Sequence, residues 1–594
     1  MPPGPPPASA LASARTPGGQ RSLRFARFAA IASFAALILG PALSEISLSL
    51  FAETSLMAQQ SPVSPGRSTV YAPRGMVATS QPLATSAGLQ VLEEGGNAVD
   101  AAVTAAAVLT VVEPHMTGIG GDLFALLWPA DEGRVVGLSA HGRSGSLMTR
   151  EAILEAGHES IPTRGPESIT VPGALRGWAD LLERYGTRTL AQALEPAIRL
   201  AEEGFPVSPI IAGDWAGEVE MLQRDEGARA TYLVEGERAP APGEWFRNPD
   251  YARTLREIAS EGPDALYGGA LGARIAEGVQ GLGGFLTLED LRDHRSRWVE
   301  PISAPFRDVR LWEIPPPGQG IAALQMLRIL EPFPLEAMGH NSPEYLHHLV
   351  EAKKLAYADL AAHVADPRFM EVETRSLLSN AYLDERRREL DPWQAMATTD
   401  PGAAATESET IYLTVADGEG NMISLINSVY FAFGSGVVVP GTGFDLQNRG
   451  SGFTLEPGLP NSVAPGKEPF HTIIPAFVTR TGPDGREEPW ISFGVMGGAM
   501  QPQGHVQVLL NVLLFGMDPQ AAVEAPRFRH YSGLRLGVEA GIGEGIRAAL
   551  GARGHDIFTA GPGAVGGAQL ILRLDGGGWG AGSDPRKDGQ AAGH

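Results

Sequence analysis

Thr410-Ile411-Tyr412-Leu413-Thr414-Val415-Ala416-Asp417 sets Thr, Tyr and Thr at one parity and Ile, Leu and Val at the other; Gly418-Glu419-Gly420 can reverse the chain, and Asn421 to Ser428 resumes the pattern. A period of two marks a strand whose faces meet different surroundings, and a glycine-rich turn between two such runs marks a hairpin. The hairpin opens a β-rich C-terminal third. Further strands are expected at His471 to Arg480 and Trp490 to Val495, joined across Gly482-Pro483-Asp484-Gly485, then a helix at Gly504 to Phe515 and a last strand at Gln569 to Leu574.

Upstream, helical signals dominate. Gly75 to Ser80 reads as a short strand, and Pro82 to Glu94 as a helix closed by Gly95-Gly96. The next helix, Asn97 to Val112, is almost wholly apolar and belongs in a core. From about Ser168 to Leu390 the pattern is helical, with Gly173 to Tyr185, Leu190 to Glu203 and Ser342 to His363 separated by Gly/Pro-rich loops and no internal repeat. The chain reads as layered α/β.

At the N-terminus, Arg15, Arg21, Arg24 and Arg27 precede an uncharged run from Phe28 to Ser44, the order of an export signal. Removal near Ala58 would make the mature protein periplasmic or secreted. The run is shorter than the roughly 20 residues of a spanning helix and contains Gly40 and Pro41, so no membrane span is expected in the mature form; an uncleaved N-terminal anchor is the alternative.

Composition removes several classes of function. The net charge of -22 excludes a general nucleic-acid binder. With 43% hydrophobic and 19% charged residues the chain is globular, and 74 Gly with 47 Pro predict many tight turns. The absence of cysteine removes disulfides, thiolate metal sites and Cys nucleophiles.

Motifs narrow the chemistry further. His347, His348 and Glu351 share one helix, but adjacent helical residues point about 100° apart, so the two imidazoles cannot face one ion; the segment reads as a solvated helix, with no metal. Gly118-Ile119-Gly120-Gly121 and Gly541-Ile542-Gly543 lack a dinucleotide fingerprint, and neither a phosphate-binding loop nor a G-x-S-x-G elbow occurs, so no cofactor is expected. Thr410 remains, at a strand start after the small-residue stretch Asp400 to Glu409. A threonine freed as the first residue of a chain can use its own α-amine as base, which requires cleavage of Glu409-Thr410. Most threonines in such a setting are ordinary strand-edge residues, and spacing alone does not carry the nucleophile claim.

Several ordered segments together resemble the γ-glutamyltranspeptidase (glutathione hydrolase) family of N-terminal nucleophile hydrolases. They are Gly95 to Ala102, Glu113-Pro114 leading into Thr117 to Gly121, Val171-Pro172-Gly173, Arg184-Tyr185-Gly186, the Thr410 strand, Asp417 to Asn421, Phe433 to Gly436, Gly441 to Gly443, Pro465-Gly466, Gly497-Gly498 and Asp584-Pro585-Arg586. The resemblance implies a four-layer αββα sandwich and a proenzyme that cuts itself into a large piece, 59–409, and a small piece, 410–594, which stay associated. It implies that Thr410 is the nucleophile, that Ser428 hydrogen-bonds the new amine, and that Gly497 and Gly498 form the oxyanion hole. Arg143 matches the arginine that grips the donor's α-carboxylate.

The sequence departs from that family at the amino-acid recognition positions. Tyr430, Arg449 and Gly452 stand where Asn, Gln and Asp surround the donor's α-ammonium, and His471-Thr472 replaces two serines that help hold the α-carboxylate. Losing an acid and gaining a cation both disfavour an ammonium group. The stretch between Phe453 and Phe470 is short, so a lid loop over the site is not expected. The leading expectation is a γ-glutamyltransferase or glutathione hydrolase acting on γ-glutamyl amides, with water or an amino acid or peptide as acceptor. An N-acyl amidase of the same fold, similar to glutaryl cephalosporin acylases, is the alternative, and an uncleaved binding or scaffold protein is the third.

Overall fold

A computed structural model describes residues 66–397 and 409–594. The expected signal, its cleavage point near Ala58 and most of the stretch before Thr410 lie outside them. The hairpin forms as read: Glu409–Ala416 pairs antiparallel with Met422–Tyr430. Its turn is held by Asp417, whose carboxylate accepts the N–H groups of Glu419 and Asn421 at 2.9 and 3.0 Å and, on its other oxygen, that of Ala98 at 2.9 Å. One aspartate thus caps both the hairpin turn and the first turn of helix Ala98–Val112.

Two seven-stranded sheets lie face to face. One runs Gln590–Gly593, Met76–Thr79, Glu409–Ala416, Met422–Tyr430, Asp122–Trp128, Val136–Ala140, Arg297–Val299; the other runs Val70–Ala72, Trp579–Ser583, Ala568–Arg573, Glu487–Val495, Ala476–Thr481, Val309–Glu313, Ile302–Phe306. Every neighbouring pair in both is antiparallel. Helices Pro82–Glu93, Ala98–Val112 and Ala174–Tyr185 cover the first sheet, and Gly320–Leu330 and Gln501–Phe515 cover the second, with Pro343–His363 packed on Gly320–Leu330. This is the expected αββα sandwich. Every residue of Ala98–Val112 is buried, as its apolar composition requires.

The alternation in the Thr410 strand decides what each face meets. Thr414 Oγ1 lies 2.6 Å from Ser492 Oγ in the opposite sheet, and Tyr412 Oη lies 2.7 Å from Ser424 Oγ, so the even residues face the space between the sheets. The odd residues Ile411, Leu413 and Val415 therefore face helix Ala98–Val112, which the strand contacts. Thr410 belongs to the hydroxyl-bearing inner face.

Four readings from sequence are corrected. The region read as helical contains strands Arg297–Val299, Ile302–Phe306 and Val309–Glu313. The strand expected from His471 begins only at Ala476, because the N–H of His471 goes to Pro317 O and that of Ile474 to Gln501 Oε1. Gln569 to Leu574 is not the last strand: Trp579–Ser583 and Gln590–Gly593 follow, built from Gly and Ala with little β propensity of their own. Helix Pro343–His363 is not solvated at His347, His348 and Glu351, all of which are buried. His347 Nδ1 lies 2.9 Å from His555 Nε2, and His347, Glu351 and His555 present ligand-type atoms within 4.8 Å of one another. Lys354 Nζ sits 2.8 Å from Glu351 Oε1, so an ammonium already supplies the positive charge there.

Candidate active site

Strand register brings three distant polar residues into one row. Ser428 stands opposite Asp122 on the neighbouring strand, and the register slips between Glu409 and Ile411, which leaves Thr410 beside Ser428. Thr410 Oγ1 donates to Ser428 Oγ at 3.2 Å, and Ser428 Oγ also accepts the N–H of Tyr430 at 2.9 Å. All three row members are buried. Gly121 makes the approach feasible, since a Cβ there would sit 2.4 Å from Ser428 O.

Arg449 ties this row to the next loop. Its Nη2 donates to Ser428 Oγ at 3.3 Å, its Nη1 to Thr472 Oγ1 at 2.8 Å, and its Nε lies 3.8 Å from Asp122 Oδ2. The guanidinium stacks on the Tyr430 ring at 4.2 Å, with Tyr430 held at φ +82°. Burial lowers Arg449 to about 10 against the raising effect of Asp122 and Tyr430, so it is charged at neutral pH. Burial likewise raises Asp122 to about 6, although Arg449, His141 and the N–H groups of Gly142 and Gly173 oppose it. His471 Nε2 is 3.1 Å from Asp122 Oδ2, and burial together with Arg449 and His141 holds that imidazole well below its ordinary value, hence neutral.

Across the sandwich a second register locates the glycine pair. Ser492 faces Thr414, and a Cβ on Gly494 would strike the Tyr412 ring at 2.5 Å, so Glu487–Val495 runs in step with the Thr410 strand up to its end at Val495. Gly497 and Gly498 follow at once, with φ of +115° and +56°, backbone that glycine adopts without penalty. Their carbonyls are held, Gly497 O by Met500 N–H at 3.0 Å and Gly498 O by Gln319 Nε2 at 2.8 Å. No acceptor among the described residues takes either glycine N–H. Donors of this kind on side-chain-free backbone are the chemistry that an oxyanion needs.

The family model described as gamma-glutamyltranspeptidase matches residues 84–594. The chain belongs to the γ-glutamyltranspeptidase family. It is 37% identical over 535 residues to the glutathione hydrolase-like YwrD proenzyme of Bacillus subtilis, covering 88% of this chain and 99% of that one. Over 537 residues it is 38% identical to the oxamate amidohydrolase proenzyme of Klebsiella pneumoniae, covering 88% and 98%. The crystal structure of a cephalosporin acylase from Bacillus halodurans superposes with a TM-score of 0.84 at 44% identity, covering 90% and 98%. Among the described residues no helix is long and apolar enough to cross a membrane.

Set within the γ-glutamyltranspeptidase family, the residues singled out from sequence fall into two groups. Thr410, Ser428, Tyr430, Arg449, His471 and Thr472 form one connected set, His471 through Asp122, and Gln319 joins Thr472 to Gly498. Arg143 stands apart: its side chain is 48% exposed and its Nε lies 3.5 Å from Glu468 Oε1, on a carboxylate shared with His141 and Arg297. Burial would raise Glu468, but the His141 hydrogen bond and the charges of His141, Arg297 and Arg143 outweigh it and hold the group at about 2. Gly452 is half-buried, a Cβ added there would sit 3.5 Å from Phe470 O, and the Phe453 to Phe470 stretch packs on Met148, Ile153 and Ile161. The reading from sequence missed Asp122 and Gln319. Asp122 follows the Gly118-Ile119-Gly120-Gly121 cluster directly, and that position was the one signal available.

Proposed function

We propose that this chain is a self-cleaving N-terminal threonine hydrolase that releases amines from amides whose acyl group carries a second carboxylate and no α-ammonium. The observation that carries the reading is Arg449, a buried cation within hydrogen-bond distance of the hydroxyl that holds Thr410. Its guanidinium can receive a carboxylate, while an α-ammonium brought to the same place would meet like charge at low dielectric. The cephalosporin acylase and oxamate amidohydrolase among the relatives support this choice. A γ-glutamyl donor is the second reading, supported by the glutathione hydrolase-like relative.

Maturation begins when Thr410 Oγ1 attacks the Glu409 carbonyl; the peptide nitrogen leaves as the Thr410 amine, and water resolves the ester to free the Glu409 carboxylate. In turnover the amine, held by Ser428, takes the Oγ1 proton as the oxygen attacks the acyl carbonyl. The oxyanion rests on Gly497 and Gly498 N–H, each such donor being worth about 3 to 4 kcal/mol. Collapse returns the proton to the leaving amine and leaves an acyl ester on Thr410, which water or an acceptor amine removes. Arg449 assists the base: a fixed cation nearby lowers the amine from its ordinary value of about 7.7 to 8.0, so more of it is neutral at pH 7. The leader supports export, which makes this a periplasmic or secreted activity.

Paired assays of a glutaryl and a γ-glutamyl anilide on the purified two-chain protein test the substrate. The expected result is higher kcat/KM for the glutaryl donor; a strong preference for γ-glutamyl would restore the second reading. Thr410→Ala should remain a single chain without activity, and a two-chain, active Thr410→Ala protein would end the mechanism.

A further inference from the structure

Gln319 lies at the N-terminus of helix Gly320–Leu330, fully buried, where three parts of the site meet. Its side-chain Nε2 donates both to Thr472 O and, at 2.8 Å, to Gly498 O. Its backbone N–H goes to His471 O at 3.1 Å, while the N–H of His471 goes to Pro317 O at 2.9 Å. All the acceptors on Gln319 belong to 410–594, and Gln319 itself to the part before the Glu409-Thr410 bond. One amide from the large piece therefore grips two separate loops of the small piece.

What those loops carry gives the grip its meaning. Thr472 is held at its carbonyl by Gln319 and at its hydroxyl by Arg449 Nη1, at 2.8 Å, so it forms the arm that fixes the guanidinium. Gly498 has no side chain and a left-handed φ, so only contacts at its peptide groups can fix the direction of its neighbouring N–H donors. The two hydrogens of a planar amide diverge at a set angle, and the spacing of their two acceptors cannot stretch without losing one bond. Ser428, Arg449, Thr472, Gln319 and Gly498 thus make a continuous hydrogen-bonded chain that starts at Thr410.

We infer that Gln319 is a positioning residue that sets the separation between the oxyanion loop and the carboxylate-binding arm, and thereby selects the length of the acyl group. This rests on the reading of Arg449 as the carboxylate partner. The acyl carbonyl must sit under Gly498 while its far carboxylate reaches Arg449, so the number of carbons between them is matched to a distance that Gln319 holds.

Gln319→Met, which keeps length and removes both donors, and Gln319→Asn, whose amide is one methylene too short to reach both carbonyls, test this. Each mature variant is assayed on malonyl, succinyl, glutaryl and adipyl anilides, with thermal melting and the rate of self-cleavage measured beside it. The expected result is a fall in kcat of about ten- to a hundredfold and a flattened length profile, in which the wild-type optimum loses its advantage over the adjacent lengths. A folded, mature variant with wild-type kcat and wild-type profile overturns the inference, and a lowered melting temperature alone does the same. A lower kcat with an unchanged profile overturns the selection of length. Wild-type protein that turns over none of the anilides defeats the functional reading instead; the clamp on the oxyanion loop is then decided by self-cleavage, which must be slowed in both variants.

Discussion

In the proposed reading Arg449 and Gly452 carry the choice of donor, and the structure makes both open to experiment. No left-handed torsion occurs at Gly452, and the nearest atom to a new Cβ is Phe470 O at 3.5 Å, an ordinary contact. Gly452→Asp should therefore fold and, by offering an acid to an α-ammonium, raise the ratio of kcat/KM for γ-glutamyl over glutaryl anilide. One charge-assisted hydrogen bond is worth roughly 1.5 to 3 kcal/mol, on the order of ten- to a hundredfold in that ratio. Arg449→Gln should do the reverse work on the carboxylate: glutaryl turnover should fall by a similar factor while an acetyl anilide, with no acid to lose, changes little. The same substitution bears on the base. Removing a cation raises the pKa of a nearby amine, so the acid limb of the kcat profile should move to higher pH by about 1 unit. An unmoved limb would place the Thr410 amine outside the influence of Arg449.

Helix Ala98–Val112 shows how an element built for burial is anchored at its polar end. Asp100 in its first turn accepts Asn97 N–H at 2.9 Å, Thr187 N–H at 2.8 Å, Arg188 N–H at 2.9 Å and Thr187 Oγ1 at 2.6 Å. Asp100→Ala strands these donors in a buried site and should cost about 2 to 4 kcal/mol of stability, read from denaturant unfolding, with a smaller loss for Thr187→Ala. This helix was legible in sequence because its composition admits one environment, and the Thr410 hairpin because its two faces differ. Asp122–Trp128 and Val136–Ala140 were not, since strands buried on both faces lose the alternation that distinguishes them from buried helix. The site divides in the same way. Thr410, Ser428 and Gly497-Gly498 were singled out through short segments that resemble the family, whereas Asp122 meets His471 and Gln319 meets Gly498 across long stretches of chain. The resemblance gives Arg143 to the donor's α-carboxylate, and in the structure its partner is the protein's own Glu468.

Cleavage at Glu409-Thr410 would leave two pieces that share both sheets. In one, Met76–Thr79 of the large piece lies between Gln590–Gly593 and Glu409–Ala416; in the other, Val70–Ala72 forms one edge and Val309–Glu313 with Ile302–Phe306 the opposite one, around four strands of the small piece. Separation would break backbone ladders at several seams at once, so the mature pieces should co-elute in size-exclusion chromatography and melt in a single transition. Ion pairs across the cut add a dependence on acid. Glu468 of the small piece meets Arg297 Nη2 of the large piece at 2.7 Å, and Asp214 of the large piece meets Lys587 Nζ of the small piece at 3.3 Å. Burial would raise both carboxyls, but Glu468 is held at about 2 by His141 and the neighbouring arginines, and Asp214 at about 2 by His115 and Lys587. A carboxyl depressed in the folded state stabilises above its unfolded value and loses that contribution as pH falls toward the folded one, here between about 4.5 and 2. Asp122, raised to about 6, has the opposite sign, with its native state gaining as pH falls from 6 to 3.8 and nothing further below that. The association of the pieces should accordingly weaken only below about pH 4. Glu468→Gln should flatten that acid limb while leaving the melting temperature above pH 6 lower than wild type. A steep loss of association between pH 6 and 5 in the wild type would show that other groups govern the seam.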